Sequence, residues 1–153
     1  MCGPAGSGKS TYAHVLEGKG FVRLSLDVQA WDLGHQVHPL PEEVAEPIRA
    51  RIKARLVELV AAGRDVVVDL SFWSRAARQE YRDLLAPLGV VPIMVVMRTP
   101  PETIRQRLAA RSGSGPDDIL LTPQVTEQHL AGFQWPTGDE GPLLVVTAIP
   151  GDS

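Results

Sequence analysis

The sequence predicts an α/β fold in which a parallel sheet of about five strands carries helices on both faces. Three observations lead there. Short apolar runs alternate with helix-length segments, and two of them, Val66-Val67-Val68 and Pro92 to Met97, read as strands buried on both faces. A glycine-rich turn, Gly-Pro-Ala-Gly-Ser-Gly-Lys-Ser from Gly3 to Ser10, stands where a strand should hand over to the first helix. The length of 153 residues, 44% hydrophobic and 22% charged, suits one core, so a single domain over 1–153 is expected.

Taken in order, Lys9 to about Glu17 is a helix with Tyr12, Ala13, Val15 and Leu16 as its apolar side, ended by Gly18 and Gly20. Phe21 to Leu26 is a strand. Asp27 then falls at or just beyond its C-terminal end, the sheet edge where ligands bind in open α/β folds. Gln29 to Leu33 is one helical turn, and 34–40 is a loop with His35 and His38, whose spacing does not suit zinc. Pro41 opens a long helix to about Ala62, with Glu42 and Glu43 in its first turn and Gly63 past its end. Its apolar stripe is Val44, Ile48, Ile52, Leu56, Leu59 and Val60; Pro47 lies inside, and Arg51 and Arg55 lie on another face.

Asp65 to Leu70 is a strand that delivers Asp69, Ser71 to Ser74 is a turn, and Arg75 to Leu85 is a helix. After the strand Pro92–Met97, Thr99-Pro-Pro-Glu102 reads as a capping box opening a helix to about Arg111. Ser112 to Asp118, rich in glycine and serine, is the tip of a small lid around 105–122. Thr122 and Pro123 cap a last helix to about Ala131, and Leu143 to Thr147 completes the sheet, with Trp135 and Pro136 structural.

Only Met1 and Cys2 precede Gly3, whereas a strand needs about five residues, so the first strand is read as truncated. Adding about four apolar residues ahead of Met1 is expected to raise the melting temperature by restoring ladder bonds and burial. An unchanged melting temperature would count against a shortened strand.

The net charge of −3 disfavours a general nucleic-acid binder, no apolar run approaches membrane-spanning length, and no leader is expected. A single cysteine, Cys2, suits a reducing cytoplasm. Arginine outnumbers lysine twelve to three, and Arg98, Arg105, Arg107 and Arg111 cluster. Such a cluster suits phosphate oxygens or a solvated helix face; composition does not choose.

The stretch Gly3 to Ser10 fits G-x-x-x-x-G-K-[ST] at every fixed position. A backbone of this kind curls around phosphate with its N–H groups inward, and the following helix adds its positive dipole end. Gly3, Pro4, Ala5, Gly6, Ser7, Gly8, Lys9, Ser10 and Thr11 are therefore the expected nucleotide-binding residues. Lys9 is placed to reach the β- and γ-phosphates, and Ser10 is a candidate ligand for the Mg²⁺ that bridges them.

The order of motifs resembles the small P-loop kinases of the AAA-like ATP-binding group, near polynucleotide kinase, zeta toxin and chloramphenicol phosphotransferase. The resemblance runs from Gly3 to about Val146. It rests on the phosphate loop, on Leu-Ser-Leu-Asp27, on Val-Val-Val-Asp69 with Arg75 and Arg78 beyond it, and on Arg107 and Arg111. It implies a P-loop NTPase fold of the nucleoside-monophosphate-kinase-like type, ATP and Mg²⁺ as cofactors, and transfer of the γ-phosphoryl group to a hydroxyl. Asp27 matches the family's carboxylate against the acceptor hydroxyl, a general base, with turn capping as its other role. Asp69 resembles the magnesium carboxylate at a strand end, with helix capping as its alternative.

Arg107 and Arg111, four apart, project from one side of a helix and are placed to close over the transferring phosphoryl, while Arg105 points elsewhere. Arg75 and Arg78 suit an anionic substrate or the surface, and Trp31 and Trp73 suit an acceptor pocket or the core. An adenine pocket near the final helix is what the resemblance implies. The acceptor favoured by the acidic balance is a small hydroxyl-bearing molecule. A polynucleotide 5′-hydroxyl kinase and a non-catalytic ATP-dependent switch are the alternatives.

Overall fold

The computed structural model describes residues 1–36 and 38–147, so the loop expected over 34–40 includes one residue, 37, outside the described set. Among the described residues, four strands are parallel in two pairs. β1 (Val22–Ser25) runs beside β2 (Val66–Asp69) with Val22 opposite Val66, and β3 (Met94–Met97) beside β4 (Leu143–Val146) with Met94 opposite Leu143. The residues ahead of the phosphate loop lie between the pairs. Cys2 bridges to Val96, donating to the Val95 carbonyl at 2.7 Å and accepting from Met97 N at 2.8 Å. On the other side the Met1 nitrogen donates to the Val68 carbonyl at 2.9 Å, and Gly3 N to Ser71 O at 3.1 Å. The lane order is therefore β1, β2, Met1-Cys2, β3, β4, with every C-terminal strand end along one edge.

Alternation along the strands assigns the two faces. Val67, Val95, Met97 and Val146 pack with Ala13, Tyr12 and Leu16 of α1 (Lys9–Glu17). Val66, Val68, Met94 and Val96 face the larger core. There α3 (Glu42–Ala61) and α4 (Arg75–Leu85) contribute Ile48, Ile52, Leu56, Leu59, Tyr81 and Leu85. Full burial of a side chain of this size stabilises the fold by about 1.5–3 kcal/mol. The expected stripe of the long helix is thus its core face, except that Ala45 is buried while Val44 and Val60 are partly buried. That helix starts at Glu42 and continues across Pro47.

Three local readings need correction. Ser25 Oγ accepts from Val28 N at 3.3 Å and caps a helix, α2 (Leu26–Asp32), so Asp27 sits in a first helical turn, and the expected turn at Gln29 begins earlier. Thr99 does not close a capping box. The N-cap of α5 (Pro101–Ala109) is Pro100, and Thr99 Oγ1 instead donates to the Ser7 carbonyl at 2.8 Å. Helix α5 also stops at Ala109, leaving Arg111 beyond it.

The last helix, α6 (Pro123–Gly132), is capped as expected by Thr122, whose hydroxyl accepts from Val125 N at 3.2 Å. The lid tip is a compact turn tied by Asp118, which accepts from the backbone and hydroxyl of both Ser112 and Ser114 at 2.8–3.1 Å. These four bonds hold the Asp118 carboxyl far below the usual carboxylate range. Among the described residues, no helix is long and apolar enough to cross a membrane.

Candidate active site

The phosphate loop bends where only glycine bends easily. Gly6 and Gly8 have φ of 79° and 99°, and a Cβ on Gly6 would stand 3.0 Å from the Leu108 side chain. Three of the loop's carbonyls are taken by side chains, one from within the loop and two from outside it. Lys9 Nζ donates to Pro4 O at 2.9 Å, Arg107 Nη1 to Gly6 O at 3.3 Å, and Thr99 to Ser7 O. With its oxygens held this way, the loop and the start of α1 can present N–H groups to an anion.

Beside the loop, Ser10 Oγ donates to Asp69 Oδ2 at 3.0 Å, so a serine hydroxyl and a strand-end carboxylate 59 residues apart are in direct contact. Hard oxygen donors in this pairing fit Mg²⁺, which takes one or two protein oxygens and completes its shell with water and phosphate. The Asp69 side chain is only 3% exposed, and it is paired. Arg23 donates to the same Oδ2 through Nε at 3.0 Å and Nη2 at 2.6 Å, then reaches Asp117 of the lid at 2.6 Å.

The loop and the serine–aspartate pair open onto one cavity of about 630 Å³. Gly6, Gly8, Lys9, Ser10, Thr11, Asp27, Asp69, Arg107, Arg111 and Asp117 line it at the sheet edge, together with Ala5. Its farther wall comes from α3, α4 and the segment between β2 and α4: Arg49, Lys53, Phe72, Trp73, Ala77, Glu80 and Tyr81. The size suits a small ligand enclosed on several sides.

Burial pushes the Lys9 ammonium below the ordinary lysine pKa, opposed by Asp69 and Asp27; burial likewise lowers that of Arg111. Both groups are poorly hydrated cations, which strengthens their attraction to a polyphosphate. Asp27 is half-exposed, and His38 Nε2 lies 3.2 Å from its Oδ1, off the angle of a hydrogen bond. Burial moves Asp117 up, but hydrogen bonds from Arg23 and His14 outweigh it and hold that carboxyl below its usual range.

Not every residue read from the sequence arrives at this cavity. Arg78 does not meet substrate: its side chain is 1% exposed and donates to Glu140 at 3.0 Å and to the Phe72 carbonyl at 2.8 Å, so its charge is spent inside the fold. Arg75 is exposed and pairs with Asp139 at 2.7 Å, and it does not line the cavity. Trp31 stands half-buried on α2 away from the lining, whereas Trp73 is on it. Arg107 and Arg111 both line the cavity although they do not share a helix, because Arg111 turns back to the Ile119 carbonyl at 3.0 Å.

The residues that sequence reasoning did not single out are Asp117, Arg49, Lys53, Glu80, Tyr81 and His129 on the cavity wall and Arg23 behind it; a substrate contact for His38 is the lesser of its two readings, and His38 does line the cavity. One signal was present for two of them. Arg49 and Lys53 are four apart, hence on one face of the long helix.

A glycine-rich phosphate loop at the central lane of a parallel sheet, followed by a helix and facing a serine–aspartate pair, defines a P-loop nucleotide-binding domain. More particularly, the chain belongs to the AAA domain family, whose model matches residues 1–136. Its fold is shared by several solved structures. A gluconokinase from Sinorhizobium meliloti is 23% identical with a TM-score of 0.63, over 95% of this chain and 79% of that one. Kti12 of Chaetomium thermophilum, solved with ADP-AlF3, is 17% identical with a TM-score of 0.71 over 95% and 86%. The APS kinase of Mycobacterium tuberculosis, solved with AMPPNP and APS, is 20% identical with a TM-score of 0.62 over 99% and 87%. A comparison with curated proteins gave no match.

Proposed function

We propose that this protein is an ATP-dependent kinase that transfers the γ-phosphoryl group to a hydroxyl of a small molecule. The observation that carries the reading is that the phosphate loop, Asp27 and Asp69 share one cavity with an acceptor-sized chamber. Gluconokinase and APS kinase among the similar folds support it.

The loop N–H groups and Lys9 hold the β- and γ-phosphates, and Ser10 and Asp69 are the residues that would hold Mg²⁺. When bound, the metal neutralises charge on the phosphate oxygens. Asp27 takes the proton of the acceptor hydroxyl as its oxygen bonds to the γ-phosphorus, and the bond to the β–γ bridging oxygen breaks, leaving ADP. Arg107 and Arg111 stabilise the charge spread over the transferring group. His38 stands beside Asp27 on the same wall. At the far wall Tyr81 has a buried hydroxyl with no partner among the described residues, and with Arg49, Lys53, Glu80 and Trp73 it forms the acceptor's binding surface.

The test is transfer of labelled γ-phosphate from Mg-ATP to a mixed panel of hydroxylated metabolites, antibiotics and 5′-hydroxyl oligonucleotides. Asp27→Asn is expected to bind ATP normally and to lose transfer by roughly 10²-fold or more, the usual worth of a general base. Normal transfer by the variant would remove Asp27 from that role. Tight ATP binding with no labelled acceptor would favour a nucleotide-dependent switch.

A further inference from the structure

We infer that Arg23 is a positioning residue that couples magnesium binding at Asp69 to docking of the lid tip through Asp117. The inference rests on the reading of Asp69 as the magnesium carboxylate. Its basis is a division of labour visible in the hydrogen bonds. Ser10 Oγ and both Arg23 nitrogens donate to Asp69 Oδ2, and among the described residues Oδ1 accepts no hydrogen bond. The carboxylate is thus clamped by one oxygen, and the other is left for a cation or its water shell.

The same guanidinium serves the lid. Its Nη2 donates to Asp117 Oδ1 at 2.6 Å and its Nη1 to Asp117 Oδ2 at 3.3 Å, across 94 residues of sequence. The Arg23 side chain is 6% exposed and that of Asp117 29%. A buried arginine at this depth must be paired, and two carboxylates share its charge. His14 lies on the outer side of the cluster, 2.8 Å from Asp117 and itself exposed, so it contributes less.

Sharing fixes the sign of the coupling. The more of Arg23 that Asp117 takes, the less Asp69 is neutralised and the better it attracts a divalent cation. A cation held by Asp69 would in turn weaken its hold on Arg23 and so strengthen that of Asp117. By reciprocity, whatever lid docking does for metal affinity, metal binding does for lid docking.

Two readouts test this without reference to catalysis. Magnesium is titrated into protein holding a fluorescent ATP analogue, and amide hydrogen exchange of residues 112–118 is measured with and without the magnesium complex. Asp117→Asn is expected to raise the magnesium concentration for half-saturation about fivefold or more, and to remove a similar slowing of lid exchange that magnesium gives the wild type. Asp117→Glu, which keeps the charge, should recover most of both. Arg23→Lys should retain only part of both wild-type behaviours, because an ammonium cannot fork between two carboxylates.

If Asp117→Asn speeds lid exchange equally with and without magnesium and leaves half-saturation unmoved, the residue only packs the lid and the coupling is wrong. Should the wild type bind the analogue without regard to magnesium, the metal role of Asp69 falls first and takes this inference with it.

Discussion

Lys9→Ala is expected to lower phosphoryl transfer by about 10³-fold, the scale of losing a charged group that stabilises the transition state in a water-poor site. The lysine has two attachments. It lines the cavity beside the phosphate loop, and its ammonium donates to the Pro4 carbonyl at 2.9 Å, so it also braces the loop it serves. Lys9→Arg separates these effects, since it keeps the charge but not its shape and should restore nucleotide affinity more than transfer. Steady-state transfer and nucleotide affinity, measured on variants with an unchanged melting temperature, check the expectation. Transfer at the wild-type rate by Lys9→Ala would sink the proposed site.

The largest effect on stability is expected at Glu140, which does not line the cavity. Its side chain and that of Arg78 are each 1% exposed, and Arg75 and Arg82 approach the same carboxylate at 3.8 and 3.9 Å. Glu140 Oε2 also accepts from the Thr137 backbone N–H at 2.8 Å. Glu140→Ala strands a buried guanidinium and should cost about 3–5 kcal/mol, a large share of the roughly 5–15 kcal/mol that holds a domain together. In a protein of this size that is about 10 °C of melting temperature. Replacing both partners, Arg78→Met with Glu140→Leu, should return most of the loss, because apolar packing substitutes for a buried ion pair. A single variant melting within a degree or two of the wild type would show that the pair contributes nothing.

Much of the fold was legible because its signals are local. The limits of α1 and α4 follow from the glycines after Glu17 and from Ser74, whose hydroxyl accepts from Ala77 N at 3.1 Å. The phosphate loop was legible for the same reason, since its conformation is written in eight consecutive residues. Asp27 and Asp69 could be put at the binding edge because strand ends and parallel topology determine where they emerge.

What escaped was whatever depends on distant partners. Nothing around Arg78 distinguishes a buried arginine from a phosphate-binding one; Glu140, 62 residues on, decides it. Arg23 looked like an ordinary strand residue until Asp69 and Asp117 closed on it from 46 and 94 residues away. Thr99 had the spacing of a cap, yet α5 begins one residue later and the Thr99 hydroxyl is turned to the Ser7 carbonyl, 92 residues earlier.

The middle lane of the sheet also bears on how the molecule is built. Met1 bonds to Val68, 67 residues away, and Cys2 bridges to Val96. Both flanking strand pairs must therefore exist before the root of the phosphate loop has anything to lie against. Closing such long loops is slow, and little is gained until they close. In a refolding chain, the competence to bind a nucleotide should emerge at the end, after helix formation and collapse of the larger core. A nucleotide present during refolding would then act as a late clasp, trapping the finished molecule without hastening the steps that lead to it.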